Sequence, residues 1–256
     1  MKDSKLKLKL QSRDIIFGSW VSFEQPSITE IFALAGFDFI GIDMEHAPIS
    51  LSAAQKIFAF AQAHNVSCLP RPVSHNNDLF KPLLDSGANG LITPMVESKK
   101  EVDNILELMK YPPLGKRTFG LNRAQGYGFN FSDYINSWNA QSIFIPQIES
   151  KKGVENIEEI IANPYVDGVM IGPYDLSGSY GVPGQLDNFL VKDACCEVIE
   201  SCKRHGKSCG TQLSNPNQSS INLAIDEGYT FIILSSDLFI LWNWSEQMKS
   251  IIKAYR

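Results

Sequence analysis

Glu149 and Asp175 each stand at the end of a short apolar run, in the segments PQIES and IGPYDLSG. Neighbouring parallel strands lie about 4.8 Å apart, so if both runs are strands their acidic tails can aim into one small volume. Two carboxylates so placed repel unless a proton or a cation sits between them. Two oxygen donors without Cys or His company suit a hard divalent ion, Mg2+ or Mn2+ with Co2+ as a third choice. Water and substrate oxygens would complete its octahedron. The competing reading is structural, with Glu149 capping a helix that opens near Lys151 and Asp175 capping a turn before Leu176.

Asp43 and His46 form a second pair in IDMEH. A carboxylate close to an imidazole fixes its tautomer and raises its basicity, as a general base working near neutral pH requires. A histidine at a strand end is also commonly structural. Arg71 lies inside P-R-P, an extended turn with little freedom. Its guanidinium suits a carboxylate or a developing enolate oxygen, or else a structural salt bridge to Asp85 or Asp43. Gln147 lies two residues before Glu149 and so shares its strand face. Gly172, Pro173, Tyr174 and Asp175 read as a tight strand-to-helix turn, where glycine admits a ligand to the backbone and the following amides can bind a carboxylate. Arg123 and Tyr127, in a long connection, divide evenly between ligand contact and loop ordering. His64, His75 and His205 read as structural.

The elements that must position these groups alternate along the chain. Short β-branched or apolar runs occur at 15–22, 37–43, 67–72, 90–96, 142–149, 166–172, 208–213 and 231–237. Longer amphipathic stretches separate them, at 27–35, 51–64, 76–86, 98–109, 151–162, 188–205, 216–227 and 238–255. By length and flanking residues the first set predicts strands and the second helices. Ser27, Ser50 and Asn215 stand where N-caps belong, and Gly36, Gly87, Gly206 and Gly228 where helices end. Eight strand–helix units without a linker predict one domain over 1–256, a closed (β/α)8 TIM barrel. An open doubly wound sheet would ordinarily want a glycine-rich fingerprint after its first strand, and GSWVSF is not one. Active groups of barrels gather where strands end, and here those ends carry the polar residues above. The connection 111–141 is long and rich in Gly, Pro, aromatics and Arg, which predicts an ordered lid or a substrate-facing loop.

Composition narrows the partners. The chain has 256 residues, with 23 Lys plus Arg against 28 Asp plus Glu, a formal charge of −5. That balance, without a basic block, argues against nucleic acid. No stretch approaches the ~20 apolar residues of a membrane span. MKDSKLKLKLQSRD lacks the apolar core of a signal peptide and reads as a solvated leader or a first short helix. Five cysteines without a C-x-x-C pair read as reduced thiols, which places the protein in the cytoplasm and makes the sequons at Asn65, Asn130, Asn217 and Asn243 chance matches.

From about Phe17 to its end the sequence resembles the HpcH/HpaI family of metal-dependent pyruvate aldolases. The resemblance runs through GSWVSFEQPSITEIFALAGFDFIGIDMEHAPIS, the RP at Arg71, PMVES, YPPLGKRTFG, PQIES and IGPYDLSGSYG, in order and at suitable spacing. It implies a barrel of the phosphoenolpyruvate/pyruvate type, with Glu149 and Asp175 as metal ligands. It implies His46 with Asp43 as the acid–base group, Arg71 as the enolate stabiliser, and Gln147 with the Gly172–Asp175 backbone against the pyruvyl group. Asp85 falls where the family carries an aspartate near the histidine. Tyr174 is bulkier than the family's usual residue there. The implied reaction is reversible aldol cleavage of a 4-hydroxy-2-oxo acid to pyruvate and an aldehyde, without a Schiff-base lysine, since no strand end offers one. The alternatives are a related lyase or decarboxylase acting on oxaloacetate or a citryl-type thioester, or a silent binding protein on the same scaffold. The resemblance also implies a homo-oligomer, commonly a hexamer, that exchanges the last helix, and Leu238-Phe-Ile-Leu-Trp-Asn-Trp is apolar enough to suit that role.

Overall fold

The computed structural model describes residues 5–256. Eight strands run β1 Ile16–Val21, β2 Phe39–Met44, β3 Ser67–Pro72, β4 Gly90–Thr93, β5 Ile143–Ile148, β6 Gly168–Ile171, β7 Ser208–Leu213 and β8 Phe231–Ser236. Each is short and mostly buried, and β2, β5, β6 and β8 are rich in Ile, Val and Phe, as strands covered on both faces require. Paired strands are parallel, in the order β3-β2-β1-β8-β7-β6-β5-β4. The ends of that order, β3 and β4, lie side by side, with the Asn89 N–H donating to Cys68 O at 2.9 Å, and the ring closes into a TIM barrel.

The helices are α1 Lys5–Ser12, α2 Pro26–Leu34, α3 Leu51–Ala63, α4 Asn77–Ser86, α5 Lys99–Met109, α6 Phe131–Gln141, α7 Lys151–Glu155, α8 Ile157–Ile161, α9 Pro173–Ser179, α10 Phe189–Arg204, α11 Gln218–Glu227 and α12 Asp237–Ala254. Ser50 caps α3 as its position predicts, accepting the Ala53 N–H. Two expected caps are corrected. Gln25 holds the cap position of α2 because Pro26 already starts the helix, and the Ser27 hydroxyl turns to Gln25 Oε1 instead. Asn217, not Asn215, caps α11: the helix opens at Gln218, and the Asn217 side chain accepts the Ser219 and Ser220 N–H groups. The predicted helix 151–162 is broken at Asn156 into α7 and α8.

Two apolar layers result. Trp20, Phe39, Ile92, Ile145, Phe231 and Ile233 fill the barrel, while a larger layer lies between strands and helices. Gly41 and Gly210 make room for rings inside: a Cβ on Gly41 would lie 2.4 Å from the Trp20 ring, and on Gly210 2.0 Å from Phe231. The leader is a helix rather than a solvated tail, with its first four residues outside the described residues. Leu6 and Leu10 of α1 plug the N-terminal pole of the barrel. Lys7 ties the plug down, donating to Ser142 O at 2.8 Å and to Asp167 at 2.7 Å, while the Ser208 hydroxyl donates to Leu10 O at 2.7 Å.

Beside that plug lies Lys110, fully buried, its ammonium donating to Asn139 O (2.8 Å) and Ser142 Oγ (2.6 Å). Burial and the nearby Lys7 charge lower its pKa from 10.5 to about 7. Between those two values the unfolded chain holds a proton that the folded chain lacks, so stability rises with pH there and the full penalty applies below about pH 7. The penalty is of order 5 kcal/mol. Lys110→Met is therefore expected to raise Tm at pH 6, with a gain that shrinks or reverses by pH 10. Melting curves that shift equally at both values would contradict it.

The connection after α5 corrects one expectation. It leaves a helix and leads to the start of β5, so it covers the N-terminal pole and is no lid over the strand ends. Arg117 anchors it, buried, with Nη2 on Asp85 at 2.8 Å and its guanidinium between the Tyr111 and Trp138 rings at 4.7 and 4.6 Å. Arg123 is held at the same pole, donating to Gln62 Oε1 at 2.7 Å, and Tyr127 is exposed beside it.

Candidate active site

At the C-terminal mouth, parallel register sets Asp43 of β2 directly beside Arg71 of β3. Asp43 Oδ1 accepts the backbone N–H groups of Glu45 and His46 at 3.2 Å each, which fixes the turn leaving the strand. The same carboxylate oxygen lies 3.0 Å from Arg71 Nη2. Arg71 Nε lies 3.1 Å from Glu45 Oε2, and Nη1 donates to Gln147 Oε1 at 3.4 Å. The guanidinium rests 4.8 Å over the Trp20 ring, whose Nε1 donates to Gln212. Arg71 is thus buried and held from three sides before any ligand arrives. Its alternative partner Asp85 lies at the opposite pole on Arg117, so neither Arg71 nor His46 meets it.

Glu149 is buried beyond the end of β5. Its Oε1 accepts the Met95 N–H at 2.7 Å, and its Oε2 accepts from Gln147 Nε2. Met95 turns that amide inward from a left-handed backbone conformation (φ 51°), strain of the kind that collects at functional sites. Burial raises the Glu149 carboxyl above its ordinary range, and the charges of Glu45 and Asp175 push it further in the same direction. The capping alternative fails for both acids. Ser150 caps α7 by accepting the Gly153 N–H, and Gly172 holds the cap position of α9. Asp175 occupies the exposed first turn of α9, with Pro173 at the helix start and Tyr174 pointing to solvent. Gly172 passes so close to β5 that a Cβ there would lie 2.6 Å from Glu149 Oε2 and 3.0 Å from Gln147 Nε2.

His46 stands at the rim, 67 % exposed, and the carboxylate at its ring is Glu45 rather than Asp43, Oε2 to Nε2 at 3.7 Å. The expected pairing is corrected: Asp43 spends its oxygen on backbone amides and Arg71. Glu45 escaped the sequence reading. The period of two that puts Asp43 and Glu45 on one strand face was the signal for it. Burial raises the Glu45 carboxyl, opposed by Arg71 and His46, while Asp43 and Asp175 add to the rise. The remaining histidines meet structural partners, His64 Glu30, His75 Pro94 O and His205 Glu158.

The mouth therefore gathers one guanidinium, one imidazole and four carboxylates. Among the described residues no three His, Cys, Asp or Glu side chains form a closed metal cage. Glu45 and Glu149, raised by burial and further by acidic neighbours, nevertheless belong to the kind of donor set that a hard cation relieves. No helix among the described residues is long and apolar enough to cross a membrane.

Comparison with known proteins agrees with this arrangement. A family profile described as HpcH/HpaI aldolase/citrate lyase matches residues 17–243. The hydroxypyruvate/pyruvate aldolase of Roseovarius nubinhibens is 33 % identical, across 94 % of this chain and 93 % of its own. The 5-keto-4-deoxy-D-glucarate aldolase of an Enterobacter species is 30 % identical, across 98 % of this chain and 97 % of its own. A solved HpcH/HpaI aldolase/citrate lyase family protein from Burkholderia cenocepacia superposes with a TM-score of 0.91 at 29 % identity, covering 98 % of this chain and 99 % of that one. With its polar groups at the pole where barrel lyases work, the chain belongs to the HpcH/HpaI aldolase/citrate lyase family and is a carbon–carbon lyase of the aldolase kind.

Proposed function

We propose that the protein cleaves a 4-hydroxy-2-oxo acid reversibly to pyruvate and an aldehyde, with a divalent cation, Mg2+ or Mn2+, held by Glu149 and Asp175. The observation that carries this reading is Gln147, whose one buried amide joins Arg71 at its oxygen and Glu149 at its nitrogen. The carboxylate read here as cation-binding and the guanidinium read as anion-binding are thereby tied to the two ends of one amide. The relatives' names, a hydroxypyruvate/pyruvate aldolase and a keto-deoxyglucarate aldolase, point to the same pyruvyl half. When bound, the cation supplies Lewis-acid polarisation of the 2-oxo acid, a contribution of several kcal/mol in such reactions.

The protein's own groups do the rest. His46 accepts the proton of the 4-hydroxyl. The O–H electron pair becomes the aldehyde C=O, and the C3–C4 pair becomes the enolate C2=C3 bond. Arg71 faces the oxygen on which that negative charge collects, already oriented by Asp43, Glu45 and Trp20, so little reorganisation is needed as charge develops. Protonation at C3 then gives pyruvate. Gly172, with the backbone from Pro173 to Asp175, leaves room for the substrate carboxylate beside Glu149. Tyr174, exposed at the rim, sits on the side where the aldehyde half would leave. Pyruvate release from a panel of 4-hydroxy-2-oxo acids, followed through lactate dehydrogenase, tests the reading. Turnover that is lost to chelator and restored by Mn2+ supports it, and full turnover in metal-free protein sinks it.

The same reading makes the protein a homo-oligomer, with a hexamer as the expected form. In α12 Asp237 is buried, while Leu238, Leu241, Trp242, Trp244 and Ile252 lie about half exposed along an apolar flank. Light scattering should give a mass several times the 28.5 kDa of one chain, and Trp242→Glu with Trp244→Glu should reduce it. A parental mass of one chain at micromolar concentration would exclude the assembly.

A further inference from the structure

We infer that Glu45 is a positioning residue for His46, the carboxylate that orients the imidazole and offsets the charge it acquires on taking the substrate's proton. The inference rests on the aldol reading and extends it to a residue that the reading uses only to orient Arg71. Three observations carry it. Glu45 Oε2 lies between the two cationic groups of the mouth, 3.1 Å from Arg71 Nε and 3.7 Å from His46 Nε2. Its side chain is only 15 % exposed, and that oxygen, ion-paired with Arg71, makes no aligned hydrogen bond, which leaves it room for a second partner. Asp43, the other carboxylate on this strand, is already committed to two backbone amides and to Arg71.

A carboxylate oxygen can accept more than one hydrogen bond, so the ion pair with Arg71 does not prevent Glu45 Oε2 from taking a second cationic partner during the cycle. The stage available here is the moment His46 becomes an imidazolium. Contacts of this kind are often long before substrate arrives and shorten as charge develops. The charged groups that act on Glu45 are Arg71 from β3, His46 and Asp43 beside it, and Asp175 across the mouth, and Glu45 in turn acts on Glu149. Asp43 and Glu45 share Arg71. Of the two carboxylates, Glu45 is the one that also lies beside the ring, within reach of the protonated imidazole. The second methylene of the Glu45 side chain matters as well, because it gives the carboxylate a reach that aspartate lacks.

The test is a double-mutant cycle in the full chain with metal supplied: Glu45→Gln, His46→Ala and the two together, with Glu45→Asp as the conservative variant. Glu45→Gln is expected to lower kcat at least tenfold while KM stays within about threefold, because Arg71 keeps Asp43 and Gln147. Glu45→Asp should recover part of that loss. In the His46→Ala background the Gln substitution should make no further difference, the signature of two groups acting as one unit. Losses that multiply independently, or a loss confined to KM, would overturn the proposal. If His46→Ala keeps the parental kcat, there is no base for Glu45 to position and the proposal falls, while chelator-sensitive pyruvate release would leave the aldolase reading standing. Crystals of the Gln variant add a readout without turnover, expected to show the ring in more than one rotamer where the parent shows one. A single parental rotamer there would also count against the proposal. Should Glu45→Gln fail to fold, the Asp variant carries the same cycle.

Discussion

Glu149→Ala is expected to lower kcat/KM for pyruvate release by roughly three orders of magnitude, about 4 kcal/mol of transition-state stabilisation. The size follows from what that side chain does. It is the buried member of the proposed cation pair, and its Oε1 and Oε2 are aimed by the Met95 amide and by Gln147. Removing it loosens Gln147 as well, and with it one of the holds on Arg71. The fold should survive, because Glu149 lies past the end of β5 and takes no part in the sheet. Equilibrium Mn2+ binding and steady-state rates check the expectation together. Parental affinity for Mn2+ in the variant would remove Glu149 from the proposed cation site.

Gly172→Ala should be nearly as damaging, a loss of at least about 100-fold in kcat/KM with little change in Tm. The backbone at Gly172 is ordinary for any residue (φ −101°), so alanine brings no strain of its own. The damage is positional. The new methyl would stand 2.6 Å from Glu149 Oε2 and 2.9 Å from its Cβ, so the carboxylate must move by several tenths of an ångström or more. Displacements near 1 Å at reacting groups are sufficient for losses of this size. A variant that melts with the parent and turns over at the parental rate would show that Glu149 works from another position.

Much of the barrel was legible because its signals are local. Short, little-alternating apolar runs and glycines at helix ends predict β1 to β8 to within a few residues. Gly87 and Gly228 end α4 and α11 in the left-handed region, as their places after amphipathic stretches require. The mouth was legible for the same reason: a residue just past a parallel strand must face it. What failed was of a different kind. Asp43 and Glu45 compete for the same two cations, and sequence spacing cannot decide which carboxylate faces the ring when one of them is consumed by backbone amides. Residues 111–141 were misread through composition. Aromatic and Arg content resembles that of a lid, yet Arg117 packs its guanidinium between rings beneath the barrel. Their place after a helix and before a strand was the better guide to the pole. Asp85 misled for a related reason, as its partner Arg117 is 32 residues away in that same segment.

The plug formed by α1 has a consequence for how the chain is made. Its anchors, Ser142, Asp167 and Ser208, lie 135 to 198 residues downstream of the residues they hold. At about 5–20 residues per second on the ribosome, the peptide carrying Leu6 and Leu10 waits of order 10–40 s before its last docking partner exists. Throughout that interval two leucines destined for the barrel floor travel beside a nascent, unfinished sheet. The lysines that alternate with the leucines in KLKLKL keep the segment well hydrated during that interval.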